Sequence, residues 1–226
     1  MSDLEFAREP EPRLVLFDLD GTITRRDTLS GYVLGYALAH PWRLLGFLLF
    51  VPAVIRFLFD RDRGRLKGKL LAAVMGGATR DSVARYNTGY IPRLLARGVF
   101  PEAKLAIEQH RAAGDHLVLM SATVDLYVPA IAETLGFHEW VCSRVNWRAD
   151  GKLDGHLVGA NVRDDQKARE LKRLAAAHPG RRIMAYGNSL PDLPHMRLAD
   201  RAILINPSKT LRRAAADLPV EFKNWL

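Results

Sequence analysis

The sequence predicts an α/β fold, a mostly parallel sheet covered by helices on both faces. Three observations predict it. Short apolar runs of strand length recur along the chain. Segments of helical composition and spacing alternate with them. Punctuating residues such as Gly114 separate the two kinds. Strands that alternate with helices are the mark of a parallel sheet buried on both faces.

The elements follow in order. Residues 1–12 read as a loose acidic arm, with Asp3, Glu5, Glu9 and Glu11 ahead of any apolar run. That is the wrong charge for a secretory leader. Arg13-Leu-Val-Leu-Phe17 is the first strand, ending at Asp18. A helix over 102–113 stops at Gly114 and leads into the strand Asp115-His-Leu-Val-Leu-Met120. Further strands are predicted over 181–186 and 201–205, and further helices over 125–136, 164–178 and 208–216. The stretch 147–162 carries two turn signals, Asp150-Gly151 and Asp154-Gly155, and reads as a β-excursion. Residues 28–100 hold no clear strand and read as several helices. The expected organisation is therefore a Rossmann-like core of 13–27 and 101–218 with a helical cap inserted over 28–100. In such sheets ligands bind beyond the carboxyl ends of the strands.

Composition narrows the classes. Apolar residues make up 48% of the chain, enough for a full core. Lys and Arg outnumber Asp and Glu by 33 to 25, a formal +8, which suits anionic substrates or an anionic membrane surface. Zinc-ligand spacing and an aromatic-rich RNA signature are both lacking, so nucleic acid is not expected as a partner. Cys142 stands alone, fits a reducing compartment and reads as a small core residue.

The chemistry begins at Phe17-Asp18-Leu-Asp20-Gly21-Thr22. Two carboxylates two residues apart at the end of a strand lie on one side of an extended chain. Phosphoryl transfer by covalent catalysis needs one carboxylate as nucleophile. It needs a second group to protonate the leaving alcohol and then activate water, and a cation against the phosphoryl charge. Asp-x-Asp can serve all three needs. A solvated turn is the bland alternative.

This hexapeptide resembles the first motif of the haloacid dehalogenase superfamily, and three later segments resemble the rest of that pattern in order. Ser121 ends the run Leu117-Val-Leu-Met, and Lys167 follows Asp164-Asp165-Gln166 at the start of a helix. The resemblance makes both phosphate-binding residues. Tyr186-Gly187-Asn188-Ser189-Leu-Pro-Asp192 stands where the acidic fourth motif belongs. The usual pattern has Asp where this chain has Asn188, which removes one negative charge beside the metal. The resemblance implies Mg²⁺ held by Asp18, Asp20, Asn188 and Asp192, with weaker binding because of Asn188. Asp20 also separates the chain from dehalogenases and ion-pumping ATPases, which lack an acid at that place.

Ser121-Ala-Thr-Val-Asp-Leu-Tyr-Val-Pro-Ala-Ile-Ala with Leu135-Gly136 is similar to the phosphoserine-phosphatase-like branch. There an acidic residue nine positions after the nucleophile helps read the substrate, which makes Asp27 a specificity candidate. An ordinary helix N-cap is the alternative for Asp27.

Leu44 to Ile55 is uncharged on all faces, and Pro41 and Pro52 are expected to limit the helix. Twelve helical residues span about 18 Å, short of the ~30 Å of a bilayer core. Trp42 and Arg43 precede it, and Arg56, Arg61, Arg63, Arg65, Lys67 and Lys69 follow. Such flanks suit a membrane interface; a helix buried in the core of a small cap bundle is the alternative. The cap is similar to that of phosphatidylglycerophosphate phosphatases. The expected protein is thus a cytoplasmic Mg²⁺-dependent phosphatase of a phosphate monoester, with segment 44–59 on the inner face of the cytoplasmic membrane. The alternatives are a soluble phosphatase of phosphoserine or a similar metabolite, and a non-catalytic lipid-binding module.

Overall fold

The computed structural model describes residues 12–226, so the acidic arm expected over 1–12 lies outside the described residues apart from Pro12. Strand β1 (Leu14–Phe17) is buried along its whole length, and its side chains alternate between two apolar layers. Val15 and Phe17 enter one cluster; Leu14 and Leu16 enter the other. The two-residue repeat of a strand requires this division, and it makes β1 the centre of the sheet. Each such side chain contributes roughly 1.5–3 kcal/mol by leaving water.

The remaining strands are β2 (His116–Val124), β3 (Glu139–Trp147), β4 (Leu153–Val158), β5 (Ile183–Gly187), β6 (Arg201–Ile205) and β7 (Val220–Lys223). They form one sheet in the order β4-β3-β2-β1-β5-β6-β7. Every neighbouring pair is parallel except β3 and β4. The expected α/β class and parallel core are therefore present. Two strands go beyond the sequence reading. In β3 the buried residues Val141, Ser143 and Val145 alternate with more exposed ones. β7 is an edge strand, largely exposed. It leads to Trp225, which is buried against Phe100 and tied to Asn206 by two hydrogen bonds.

The second turn signal is corrected. Asp154-Gly155 lies inside β4 and makes no turn. Gly155 has φ +93°, and a Cβ there would come within 2.3 Å of the Ala72 backbone nitrogen. Glycine is needed because a helix backbone passes close by.

Between β1 and the next core helix the chain forms α1 (Thr28–Ala39), a 3-10 turn (Pro41–Leu45), α2 (Gly46–Asp60), α3 (Arg63–Met75) and α4 (Arg80–Arg97). Tyr32, Tyr36, Leu71, Val74 and Met75 from these helices join the apolar layer that holds Val15 and Phe17. α5 (Pro101–Ala112) and α6 (Val128–Leu135) cover the same face. α7 (Asp165–Ala177), α8 (Leu193–Met196) and α9 (Lys209–Ala214) cover the other through Leu171, Leu174, Met196 and Leu211.

α2 differs from expectation. Pro52 sits inside the helix on an exposed side. It removes only the bond its N–H would make to the carbonyl four residues back, at exposed Leu48. With the preceding turn, Pro41–Asp60 is a 20-residue helical stretch, long and apolar enough by length and composition to cross a membrane. Of α2 only Gly46 is buried.

Candidate active site

The site forms at the carboxyl ends of β1, β2 and β5. Asp18 is the first residue past β1, held by its N–H to the Tyr186 carbonyl at 3.0 Å. Gly21, at φ +81°, then turns the chain, and a Cβ there would collide with the Asn188 amide. Only glycine takes both the backbone angle and the close approach without strain.

Lys167, in the first turn of α7, reaches back across the sheet. Its Nζ donates to Asp18 Oδ1 at 2.6 Å and to Asp192 Oδ1 at 2.7 Å. All three side chains are buried. The other oxygen of Asp192 accepts from the Asn188 N–H, the Ser189 N–H and the Ser189 hydroxyl. Burial raises the Asp18 carboxyl; Lys167 opposes the rise and Asp192 adds to it. Burial also works against the Asp192 charge, but Lys167 and Ser189 outweigh it and hold that carboxyl below its usual range. One ammonium shared by two carboxylates thus favours the better-bonded one.

Asp20 accepts the Thr28 N–H at 2.7 Å, and burial pushes its carboxyl up to about 6 despite that bond. The Thr28 hydroxyl in turn meets the buried Tyr127 hydroxyl at 2.9 Å, which also meets Thr123 at 2.7 Å. The start of α1 is fastened to the end of β2 in this way. A carboxyl near neutrality can both give and take a proton. Ser121 is buried near the end of β2, and its Oγ accepts the Thr123 N–H at 3.1 Å.

Asp18, Asp20, Asp27, Ser121, Lys167 and Asp192 line one cleft of about 460 Å³. Asp27 also caps α1, accepting the Ser30 N–H at 2.9 Å, so both readings of that residue have a structural counterpart. Asn188 is not among the lining residues; its amide lies over Gly21. Asp192 faces the cleft; its Oδ1 accepts one bond, from Lys167, while its Oδ2 is occupied by the three donors of the 188–189 turn.

Among the cleft-lining residues that the sequence does not mark as part of the site are Arg63, Lys67, Asn161 and Arg163. Lys67 comes from α3 and donates to the Ala122 carbonyl and to Asn161 Oδ1. Burial lowers its ammonium to about 8. The signal was present in the spacing: Arg63, Leu66, Lys67 and Leu70 fall on one helical face, and that face lines the cleft. A larger cavity of about 1210 Å³ lies between α1 and α4, but it includes none of Asp18, Ser121 and Lys167.

A parallel sheet with paired aspartates just past its central strand is the framework of one class of hydrolases. Residues 15–197 match the family model of haloacid dehalogenase-like hydrolases, and the chain belongs to that family. It is 31% identical to protein CicA of Caulobacter vibrioides over 84% of each chain. It is 26% identical to phosphoserine phosphatase SerB1 of Mycobacterium tuberculosis over 92% of this chain and 70% of that one. A solved phosphoserine phosphatase, captured as a phospho-aspartyl intermediate analogue, superposes with a TM-score of 0.65 at 17% identity, covering 94% of this chain and 93% of that one. The chain resembles the phosphoserine-phosphatase-like branch of the family, a branch of phosphoric monoester hydrolases.

Proposed function

We propose that the protein hydrolyses a phosphate monoester through an aspartyl-phosphate on Asp18, with residues 28–100 acting as a cap over a core of 13–27 and 101–218. The observation that carries this is the placement of buried, Lys167-bonded Asp18 beside Asp20, whose carboxyl stands near 6. An Asp18 oxygen attacks phosphorus and the ester P–O bond breaks. The leaving oxygen takes the Asp20 proton. Asp20 then removes a proton from water, the water oxygen attacks phosphorus, the Asp18–phosphorus bond breaks, and phosphate leaves. Lys167 and Ser121 hold the phosphoryl oxygens. Lys67 and Arg163, also on the cleft wall, supply positive charge for the rest of an anionic substrate.

Magnesium suits the donor set. Asp18 and Asp20 line the cleft with the hard oxygens it takes, and Asn188, whose amide lies over Gly21, would join them only by turning its oxygen toward the cleft. Burial raises the carboxyls of both Asp18 and Asp20, and a cation beside them would offset that cost. Bound there, the ion would screen charge on the phosphoryl group. Asp192 supports these groups from behind through Lys167 and the 188–189 turn.

For the substrate, one observation favours a lipid phosphate at the inner face of the cytoplasmic membrane. Leu48, Leu49 and Phe59 of α2 are 70%, 74% and 84% exposed, whereas Phe50 and Phe57 on the same helix line the cleft. The helix therefore joins a bare apolar surface to the site, lying along an interface instead of through it. Its cationic support is thinner than the sequence count. Arg43 turns inward to the Val74 and Gly76 carbonyls, Lys67 enters the cleft, and Arg56 and Arg65 pair with Asp60. Arg61 and Lys69 remain without carboxylate partners among the described residues, and Arg63, also unpaired, lines the cleft. Assay of the protein with Mg²⁺ against phosphatidylglycerophosphate in vesicles, phosphoserine and histidinol phosphate tests the reading. Fastest hydrolysis of the lipid phosphate is expected. Preference for a small metabolite would replace it, and inertness toward every ester, aryl phosphates included, would leave a lipid-binding module.

A further inference from the structure

We propose that His116, Glu139 and His178 form a binding site for a zinc-like divalent cation, at the end of the sheet opposite the catalytic cleft. His116 opens β2, Glu139 opens β3, and His178 follows the last turn of α7. The Nε2 atoms of both histidines lie 2.7 Å from Glu139 Oε1, and one ligand atom from each residue falls within 4.8 Å of the others. An ionised carboxylate only accepts, so each ring must hold its proton on Nε2. Two N–H groups therefore converge on a single oxygen. A neutral imidazole can carry its proton on Nδ1 instead. Both Nε2 lone pairs and the carboxylate would then face one point.

Two imidazoles and a carboxylate, with a fourth position left to water, are a common zinc set. Imidazole nitrogen disfavours Mg²⁺ and Ca²⁺, which take oxygen. Two neighbours support the arrangement. The His138 ring stacks on His116 with centroids 4.8 Å apart, while His138 Nδ1 accepts the Leu117 N–H; it steadies His116 and does not join the triad. The site also sits at the carboxyl end of α7, where the helix dipole favours a cation. The three ligands are partly buried, and they tie β2 and β3 to the helix whose first turn carries Lys167.

The test uses the full chain, stripped of metal and titrated with Co²⁺. One equivalent should give the intense visible absorption of a low-coordinate nitrogen–oxygen site, removed by Zn²⁺ and unaffected by Mg²⁺. Zinc at a hundredfold excess over its Kd should raise Tm by roughly 5–10 °C. Both signals should persist in Asp18→Asn, which weakens the catalytic carboxylates as a rival source, and vanish in His178→Ala. His116→Gln provides a second variant if His178→Ala folds poorly by circular dichroism. Equal zinc binding by the wild type and a folded histidine variant overturns the proposal, as does a wild type that shows neither signal.

Discussion

The cleft around Asp18 and helix α2 break the usual rule of apolar inside and polar outside, in opposite directions. At the cleft, Asp18, Lys167 and Asp192 are buried charges, each bonded to the next. On α2, leucines and phenylalanines stand in the open and only Gly46 is buried. Buried charge is costly unless paired, and an exposed apolar stripe is costly unless covered. The first cost is met inside the chain by Lys167. The second is met by nothing among the described residues, so the cleft reads as a finished device and the helix as half of a contact. Phe50 and Phe57 join them, because both lie on α2 and line the cleft.

The largest change expected from breaking the finished half, short of removing the nucleophile, comes from Asp20→Asn. Turnover of an ester with a poor leaving group should fall by about 10²–10⁴-fold, with little change for an activated aryl ester. Equal losses on both would mean that Asp20 does not move the proton. Lys167→Met comes next, read as stability. It leaves two buried carboxylates without their ammonium, which costs about 3–5 kcal/mol, or roughly 10 °C in Tm. An unchanged melting curve would show that the three charges are not coupled as drawn.

The unfinished half is tested by Leu48→Asp with Leu49→Asp. Each leucine contributes at least about 1.5 kcal/mol when covered, so partition onto anionic vesicles should drop tenfold or more. Hydrolysis of a small aryl phosphate and the Tm should hold, because both residues are already exposed. A marked loss of stability would instead point to burial against a second copy of the chain.

The smallest effect concerns His195, buried behind Asp192. Burial, then Lys167, pushes its ring down to about 3. The unfolded chain takes up a proton from about pH 6.5 downward that the folded chain refuses. This contribution to stability is therefore complete above pH 6.5 and shrinks as pH falls toward 3, by up to about 1.4 kcal/mol per pH unit. His195→Leu should flatten the wild-type slope of Tm between pH 7 and 5; parallel slopes would mean the ring is solvated.

What was legible in the sequence follows the same division. Asp18 and Lys167 could be read because they sit where a strand ends and a helix begins, and Asp20 and Ser121 because they follow closely on apolar runs, although β2 continues past Ser121 to Val124. Composition does not separate Lys67 from Arg56, Arg61 and Arg65; its spacing puts it on one helical face with Leu66 and Leu70, and the packing of α3 turns that face to the cleft. Ser189-Leu-Pro-Asp192 carries the residue types of a capping box, but that pattern does not say that the Asn188 amide comes to lie over Gly21. Strand β7 escaped because an exposed edge strand carries no alternation to find. Arg43 looked like an interfacial cation and proved to cap α3, a long-range contact invisible to a window of neighbours.

The central claim is covalent transfer to Asp18. Acid-quenching the wild-type protein during turnover, followed by mass analysis of its peptides, should find one phosphoryl group on the peptide that holds Asp18. Asp18→Asn should carry none and lose about 10⁴-fold or more in rate, with the fold intact by circular dichroism. A phosphoryl group on another residue, or turnover retained by pure Asp18→Asn, would contradict the account.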